Sequence, residues 1–322
     1  MIFGATGAAG RFLLPALLGR GARVHAISRR PPVTSGLQPD WIRGDLFGAI
    51  DRLPAVADVI LSLGPLDAFS AWFDSASIAG VRRVVALSSM SAETKSASPD
   101  AAERALAEGL RAAEQRLLRS AASRAVACTL LRPTLIYGGG PDRSLVPIVR
   151  FALRWRVLPI PLGASGLRQP VHGADLAGAV DAVVDCAAAH GKIYALGGGE
   201  RLRFDRMLLR LRAAMPKLVL PVPVPQVMIR AALRMRTSRE AGAISAAAVG
   251  RMGADLVADN SAAAHDFGYA PRAFLATDVV ASARCSTPPR NHFRSLPLLR
   301  RSTESEGKRR AIFVANNRLN SL

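Results

Sequence analysis

The sequence predicts an α/β fold with a doubly wound parallel sheet, a smaller and mostly helical C-terminal domain, and a basic tail of low order. Short runs of strand-forming residues alternate with segments of helical periodicity over the first 135 residues. These runs are almost continuously apolar, as expected of strands that are buried on both faces. Strands that are joined through helices form right-handed crossovers, and such crossovers produce a parallel sheet.

The individual elements follow from the changes of period along the chain. We predict strands at residues 1–3, 23–28, 41–43, 58–63, 83–88 and 127–131. The helices between them are predicted at residues 10–18, 69–78 and 99–121. Further helices are predicted at 145–154, 174–189, 204–214, 226–235 and 239–252, with a Pro-rich stretch after the first of them and a strand at 192–195. We therefore predict domains at 1–144 and 145–283, followed by a basic tail at 284–322 that has no sustained period.

The composition excludes several classes of protein. The formal charge is +19, but 39 of the 43 basic residues are scattered arginines, and aromatic residues make up only 5% of the chain. Because nucleic-acid binders gather their charge on one face or interleave it with aromatic residues, we expect no specific nucleic-acid partner. The three cysteines lie far apart and the five histidines form no metal motif, so we expect neither disulfides nor a metal site.

The chain also shows no membrane or export signal. No run of 18 apolar residues is free of proline and arginine, which predicts no membrane span. The N-terminus has no basic segment before its apolar run, so we expect a cytoplasmic protein. Only three residues precede the first glycine, which suggests a misassigned start or a truncated record.

A glycine-rich turn is the strongest functional motif. It follows the first strand and opens the first helix, the setting in which such a motif indicates a Rossmann-type dinucleotide site. The first glycine permits a tight turn, the second leaves room for a pyrophosphate, and the third lets the helix pack on the sheet. The helix N-terminus then offers free N–H groups and a positive dipole end. The cofactor-binding residues predicted here are Gly4, Thr6, Gly7, Ala8, Ala9 and Gly10.

The second strand indicates which cofactor is bound. A carboxylate at its end would bind the ribose 2′-hydroxyl of NAD, but Arg29 and Arg30 stand there instead. Arginines can form forked contacts with a 2′-phosphate, so NADP(H) is the preferred cofactor and NAD(H) the alternative. The other interpretation is that both side chains are merely solvated.

The third and fourth strands add two more cofactor contacts. After the third strand, Asp45 can accept from the adenine amino group while Leu46 packs on the ring, although Asp45 could also be an ordinary turn residue. Leu63 and Gly64 end the fourth strand and are predicted to lie along the middle of the cofactor.

These motifs resemble the extended branch of the short-chain dehydrogenase/reductase superfamily, the NAD-dependent epimerase/dehydratase family. The resemblance covers about residues 1–280. It is carried by the segments GATGAAG (4–10), GDL (44–46), VVALSSMS (84–91), LLRPTLIYGGG (130–140), RQPVHGADLAGAV (168–180) and HDFGYAPRAF (265–274).

The resemblance implies roles for residues near the nicotinamide. Ser88 and Ser89 would lie beside it, with one serine hydrogen-bonding the substrate oxygen. Arg132, Pro133 and Thr134 would border its half of the cofactor, with Tyr137 beyond them. The alternative interpretations are that the two serines only form hydrogen bonds with backbone groups at a strand end, and that Tyr137 is a packing residue. The segment that holds Glu93, Lys95 and Glu103 is expected to be mobile and without a role.

The sequence departs from the family at its catalytic pair. The family uses Tyr-x-x-x-Lys, and no such motif occurs in this chain. Aligning Glu114 with the family's acidic residue places Leu106 and Leu110 at the positions of the pair. Two functions follow. One is an NADP(H)-dependent oxidoreductase or epimerase-like enzyme of the atypical extended class, acting on a small molecule that the sequence does not identify, with Ser89, Tyr137 or water moving the proton. The other is a non-catalytic accessory or redox-sensing dinucleotide-binding protein.

Overall fold

The computed structural model describes residues 1–32, 38–140, 142, 144–234 and 249–285. Its strands are β1 (Ile2–Phe3), β2 (His25–Ser28), β3 (Asp40–Arg43), β4 (Val59–Ser62), β5 (Arg83–Leu87), β6 (Ala127–Pro133), β7 (Ile136–Tyr137), β8 (Val157–Pro161), β9 (Leu167–Arg168), β10 (Val171–His172), β11 (Ile193–Leu196), β12 (Leu202–Arg203) and β13 (Leu220–Val224). Its helices are α1 (Gly10–Gly19), α2 (Leu66–Ser75), α3 (Ser91–Thr94), α4 (Ala101–Ser123), α5 (Leu145–Trp155), α6 (Gly173–Val184), α7 (Phe204–Ala213), α8 (Gln226–Arg234), α9 (Ser261–Phe267) and α10 (Ala276–Cys285).

Seven strands form the central sheet in the order β11-β6-β5-β4-β1-β2-β3, and every neighbouring pair is parallel. The predicted α/β class and the Rossmann-type sheet are therefore confirmed. The chain order reverses between β1 and β4, so the crevice for a ligand opens at the carboxyl ends of these two strands.

Helices cover both faces of the sheet. On one face α1 and α6 pack through residues such as Leu13 and Val180, and on the other α2 and α4 pack through Phe69 and Leu117. Each of these fully buried side chains contributes about 1.5–3 kcal/mol by leaving water. The long helix α4 begins at the N-cap residue Asp100, whose carboxylate accepts from the backbone N–H of Glu103 at 3.0 Å.

Residues from both sides of the predicted division at 144/145 pack into one hydrophobic core. Strand β11 joins the edge of the main sheet beside β6, and α6 packs on the same face of that sheet as α1. The last residues of the predicted helix 174–189 form a separate 3₁₀ turn at Ala187–Ala189. A further core, built around α5, α7 and α10, comes mostly from the C-terminal part, and Tyr137 also belongs to it.

The Pro-rich stretch after α5 is a strand rather than an irregular segment. Strands β8 and β13 pair in parallel, and prolines occupy positions 159, 161, 221 and 223. The N–H of Leu220 donates to the carbonyl of Arg156 at 2.9 Å, so the alternate proline positions of β13 point away from β8 and need no donor. The C-terminal part is thus less helical than predicted.

Two predictions fall wholly or mostly outside the described residues. Most of the predicted helix 239–252 lies there, and so does nearly all of the basic tail at 284–322. Among the described helices, none combines the length and the apolar character that crossing a membrane requires.

Candidate functional site

A cavity of about 750 Å³ opens at the carboxyl ends of β1, β2, β3 and β4. It is lined by residues from the loops that follow these strands: Phe3, Gly4, Thr6, Ile27, Ser28, Arg29, Arg30, Gly44, Asp45, Leu46, Phe47, Gly64 and Pro65. Seven of the residues predicted to bind cofactor share this one cavity: Gly4, Thr6, Arg29, Arg30, Asp45, Leu46 and Gly64.

Backbone geometry explains why the turn after β1 needs its glycines. Gly4 has φ +76°, and a side chain there would lie 2.9 Å from the carbonyl carbon of Leu63. The N–H of Gly7 donates back to the carbonyl of Gly4 at 2.9 Å, which closes the turn. A Cβ on Gly10 would lie 2.5 Å from the carbonyl oxygen of Ala5, so only glycine allows the start of α1 to approach the backbone of the turn this closely.

The turn leaves donors available for an anion. No group in the described parts of the chain accepts from the backbone N–H of Ala8 or Ala9. Helix α1 follows at once, and its N-cap residue has no side-chain cap. The positive end of the helix dipole and these amides therefore have no partner of their own among the described residues.

The turn is also fixed in place by the segments that follow β7 and β10. A Cβ on Gly139 would lie 2.3 Å from the carbonyl oxygen of Ala8, and one on Gly173 would lie 2.5 Å from the same atom. The backbone of the turn is therefore packed directly against the segment that leads into the C-terminal part.

At the end of β2 the cavity is lined by two exposed guanidinium groups. Neither the Arg29 nor the Arg30 side chain contacts a partner among the described residues. The carboxylate in this part of the lining is that of Asp45, whose Oδ1 accepts from the N–H of Phe47 at 3.1 Å. Two unpaired cations beside a wide cavity are suited to a doubly charged anion.

Phe47 is a lining residue that the sequence reasoning did not find. Its ring is 69% exposed, which is unusual for a large apolar side chain beside a polar cavity. Its position in the turn directly after Gly44-Asp45-Leu46 was the available signal. An exposed aromatic ring at this place can stack on a planar base.

At the carboxyl ends of β5 and β6 a carboxylate cluster holds Ser88 and Arg132. Ser88 Oγ and Arg132 Nε both donate to Glu114 Oε1, the second at 2.8 Å, and Arg132 also pairs with Glu93. Glu114 is only 2% exposed at its side chain, and its hydrogen bonds raise the pKa of Arg132 above its ordinary value. The side chains of Arg132 and Ser88 are therefore both hydrogen-bonded to Glu114 in this structure.

The neighbouring loop residues are also engaged. Ser89 Oγ accepts from the N–H of Ser91 at 3.1 Å, but its own proton has no acceptor among the described residues. The carbonyl of Pro133 accepts from the N–H of Met90 at 3.0 Å, and Thr134 Oγ1 donates to the carbonyl of Gln169. These bonds hold the two loops against each other at the predicted nicotinamide end.

Tyr137 lies in the geometry of a packing residue. Its hydroxyl donates to the carbonyl of Ala273 at 3.4 Å and accepts from the N–H of Leu275 at 3.0 Å. Its ring is fully buried and packs edge-on against His172 and Phe274, and burial raises the pKa of the phenol. His172 is likewise structural, since its Nδ1 accepts from the N–H of Ala174 at the start of α6.

Helix α4 presents two leucines between two charged clusters. Leu106 is 47% exposed and Leu110 is partly exposed, although both are apolar. Glu114 lies one turn beyond them, and Glu103 lies about one turn before them on the same stretch of helix. The positions that the family fills with its catalytic pair are therefore apolar in this chain, under the alignment of Glu114.

The segment before α4 corrects one expectation. We expected residues near Glu93, Lys95 and Glu103 to be mobile, but Glu103 is buried and accepts from Ser98 Oγ at 2.7 Å and from Arg251 at 2.5 Å. Glu103, in the first turn of α4, is therefore held in place by the hydrogen bond from Ser98 and by the ion pair with Arg251 of the C-terminal part.

Comparisons with known proteins agree with this geometry. Residues 4–147 match a protein family described as NAD(P)H-binding. Ceramide reductase of Caulobacter vibrioides is 30% identical over 178 residues, which make up 49% of this chain and 52% of that protein. The match therefore spans about half the length of this curated relative.

Solved structures of low sequence identity share the fold. MoeE5 in complex with UDP-glucose and NAD has 21% identity and a TM-score of 0.62, covering 88% of this chain and 96% of its own. UDP-glucuronic acid 4-epimerase of Bacillus cereus, in complex with NAD, has 15% identity and a TM-score of 0.62 over the same shares. The epimerase Mth375 of Methanothermobacter thermautotrophicus has 15% identity and a TM-score of 0.63, covering 88% of this chain and 90% of its own. Residues 4–147 therefore resemble an NAD(P)H-binding family, and the chain shares the fold of these NAD-bound and epimerase structures, as its sequence motifs predict.

Proposed function

We propose that the chain binds NADP(H) in this crevice and acts as an NADP(H)-dependent oxidoreductase of the atypical extended class. The observation that carries the proposal is the pair Arg29 and Arg30, whose guanidinium groups line the cavity without partners in the described chain. No carboxylate follows β2 to accept from a ribose 2′-hydroxyl, and two cations favour a 2′-phosphate.

The remaining lining residues give each part of the cofactor a place. Asp45, Leu46 and Phe47 would hold the adenine, one by hydrogen bonding and two by packing on the ring. The free amides of Ala8 and Ala9 would bind the pyrophosphate, with the dipole of α1 behind them. The nicotinamide half would then extend toward Ser88, Ser89 and α4. A bound nicotinamide supplies hydride transfer.

The chain must move a proton without the family's Tyr and Lys. The hydroxyl of Ser88 donates a hydrogen bond to Glu114. Tyr137 is buried, and its hydroxyl both donates and accepts a hydrogen bond within the protein. Ser89 keeps its O–H proton free of acceptors among the described residues, so we assign the substrate hydrogen bond to Ser89, with water as the proton source. Leu106 and Leu110 would form an apolar wall beside the substrate carbonyl. The relative named ceramide reductase supports a reductive reaction.

A non-catalytic role is the second candidate. It is favoured by the same two leucines, because an apolar wall where the acid and base normally stand suits a protein that binds its cofactor without turnover. Binding would then report the redox ratio to a partner. The two candidates share the cofactor site and differ only in whether a carbonyl substrate is consumed.

Cofactor binding is tested by the double substitution Arg29→Ala/Arg30→Ala. We expect NADPH affinity to fall about 10–100-fold, which corresponds to about 1.4–2.7 kcal/mol for the two exposed arginines together, while NADH affinity stays within about twofold. Nicotinamide fluorescence titration measures both. The control Arg82→Ala/Arg116→Ala removes the same charge from exposed positions away from the cavity. Equal losses in the two double variants would mean that the arginines act only through net charge.

Turnover is tested by Ser89→Ala in a panel of apolar ketones with NADPH. If Ser89 orients the substrate oxygen, kcat should fall about 10²–10⁴-fold with NADPH affinity unchanged. Ser91→Ala is the matched control because its backbone N–H, which contacts Ser89, is retained. Tight NADPH binding with no oxidation of any substrate in the wild-type protein would favour the non-catalytic candidate.

A further inference from the structure

Exposed apolar side chains are concentrated in one region of the C-terminal part. They come from the end of α5, the strands β8 and β13 with their flanks, and the start of α8. We call them the apolar patch: Trp155, Leu162, Leu218, Leu220, Val222, Val227 and Met228. Single exposed apolar residues are ordinary on a protein surface, but a contiguous group of them marks an interaction site.

Strand geometry places three members of the apolar patch on one side of β13. Val219 is buried in the C-terminal core, and side chains alternate between the two faces of an extended segment. Leu218, just before β13, and Leu220 and Val222 within it lie on the side opposite Val219, and all three are exposed, Leu218 by 72%; Pro221 and Pro223 of β13 are exposed as well. The partner strand β8 buries Leu158 in the same core as Val219.

Backbone hydrogen bonds connect the other members to this strand. The backbone carbonyl of Arg156, which follows Trp155, accepts from the N–H of Leu220 at 2.9 Å. The N–H of Leu162 donates to the carbonyl of Val224 at 2.9 Å. The side-chain Nε2 of Gln226 donates to the carbonyl of Leu162 at 3.0 Å. The end of α5, the strand pair and the start of α8 thus form one continuous surface.

The chain segments that form the apolar patch carry charge of one sign. The sequence contains no aspartate or glutamate at residues 143–174 or 206–239. Arg154, Arg156 and Lys217 are exposed beside the apolar patch, and the Arg154 guanidinium lies 5.4 Å from the centre of the Trp155 ring. An apolar surface with basic neighbours and no carboxylates is complementary to an interface that is apolar inside and anionic at its rim.

We propose that the apolar patch docks on the surface of a lipid bilayer that contains anionic headgroups. The apolar side chains would enter the region between headgroups and acyl chains, and the flanking arginines and lysine would contact phosphate groups. Tryptophan is suited to this depth because its ring is apolar and its N–H is polar. This inference concerns a surface on the C-terminal part, and it does not depend on turnover in the cofactor crevice.

Vesicle sedimentation of the purified full chain tests the proposal. The probes are vesicles of phosphatidylcholine alone and of phosphatidylcholine mixed with phosphatidylglycerol. We expect binding to the mixed vesicles, little binding to phosphatidylcholine alone, and release as salt is raised. Leu218→Asp should weaken binding at least about tenfold, because it removes apolar area and adds repulsion at the interface.

A matched variant separates docking from simple charge attraction. Val56→Asp makes the same kind of change at a side chain that is 61% exposed but lies outside the apolar patch. It should leave vesicle binding within about twofold, and circular dichroism and NADPH titration should show that both variants are folded.

Several outcomes would overturn the proposal. Equal weakening by Val56→Asp and Leu218→Asp would show that the +19 chain is attracted only by its net charge. Absence of binding to mixed vesicles, or equal binding to phosphatidylcholine alone, would also contradict it. A dimer in solution that Leu218→Asp dissociates would show that a second copy of the chain covers the apolar patch.

Discussion

Replacing Glu114 with alanine should destabilise the chain by about 3 kcal/mol or more. The substitution leaves the guanidinium of Arg132 largely buried, with Glu93 as its remaining carboxylate partner. Removing one member of a buried ion pair costs about 3–5 kcal/mol because an uncompensated charge stays behind. Urea unfolding followed by circular dichroism gives the free energy of unfolding directly.

Two further variants show where that cost arises. Glu108→Ala changes an exposed glutamate on the same helix and should alter stability by less than about 0.5 kcal/mol. Glu114→Leu combined with Arg132→Leu removes both charges, so it should recover much of the loss seen in Glu114→Ala. A loss below about 1 kcal/mol for Glu114→Ala would mean that the cluster is solvated rather than buried.

Gly10→Ala is expected to damage stability and cofactor binding together. The added Cβ would lie 2.5 Å from the carbonyl oxygen and 2.6 Å from the Cα of Ala5, and both are backbone atoms that cannot rotate away. The start of α1 must therefore shift from the backbone of the turn, which costs about 1–3 kcal/mol and displaces the amides of Ala8 and Ala9. We expect NADPH affinity to fall at least about tenfold.

Gly178→Ala is the matched control for this prediction. Gly178 lies inside α6, and a Cβ there would meet no atom within 4 Å. Alanine at an open helical position should raise stability by about 0.5–1 kcal/mol, because glycine loses more backbone freedom on folding. If Gly10→Ala were also stabilising and bound NADPH normally, the close approach of α1 to the backbone of the turn would not be a requirement of the site.

The adenosine half of the site could be predicted because its determinants are local. Gly4, Arg29 and Asp45 each follow a strand, and parallel strands bring their carboxyl ends to the same edge of a sheet. Phe47 was missed because one aromatic residue in a turn carries no periodicity. These cofactor-binding residues were therefore predictable from their positions at strand ends.

The nicotinamide half was harder to predict because its contacts are distant in sequence. Arg132 meets Glu114 across 18 residues and Glu93 across 39, and no spacing rule links such positions. The hydroxyl of Ser88 is consumed by the same cluster, which a motif cannot reveal. The absence of a Tyr-x-x-x-Lys pair could be read directly, since it is a property of the sequence itself.

The C-terminal part departed from prediction for two physical reasons. No strand was predicted in the Pro-containing segments that form β8 and β13, yet their prolines occupy the alternate positions that require no hydrogen-bond donor. A strand was predicted at 192–195 and lies at Ile193–Leu196, but its pairing with β6 depends on how α6 packs across the sheet. Elements were therefore easier to predict than the partners they choose.

The most direct test of the central claim is calorimetric titration with adenosine 2′,5′-bisphosphate and with adenosine 5′-monophosphate. The two ligands differ only in the 2′-phosphate, so their difference isolates the contribution of Arg29 and Arg30. We predict that the bisphosphate binds about 10–100-fold more tightly to the wild-type chain, and that Arg29→Ala/Arg30→Ala removes this difference. Equal affinities in the wild-type chain, or a preference that survives in the double variant, would contradict the assignment of this cavity to NADP(H).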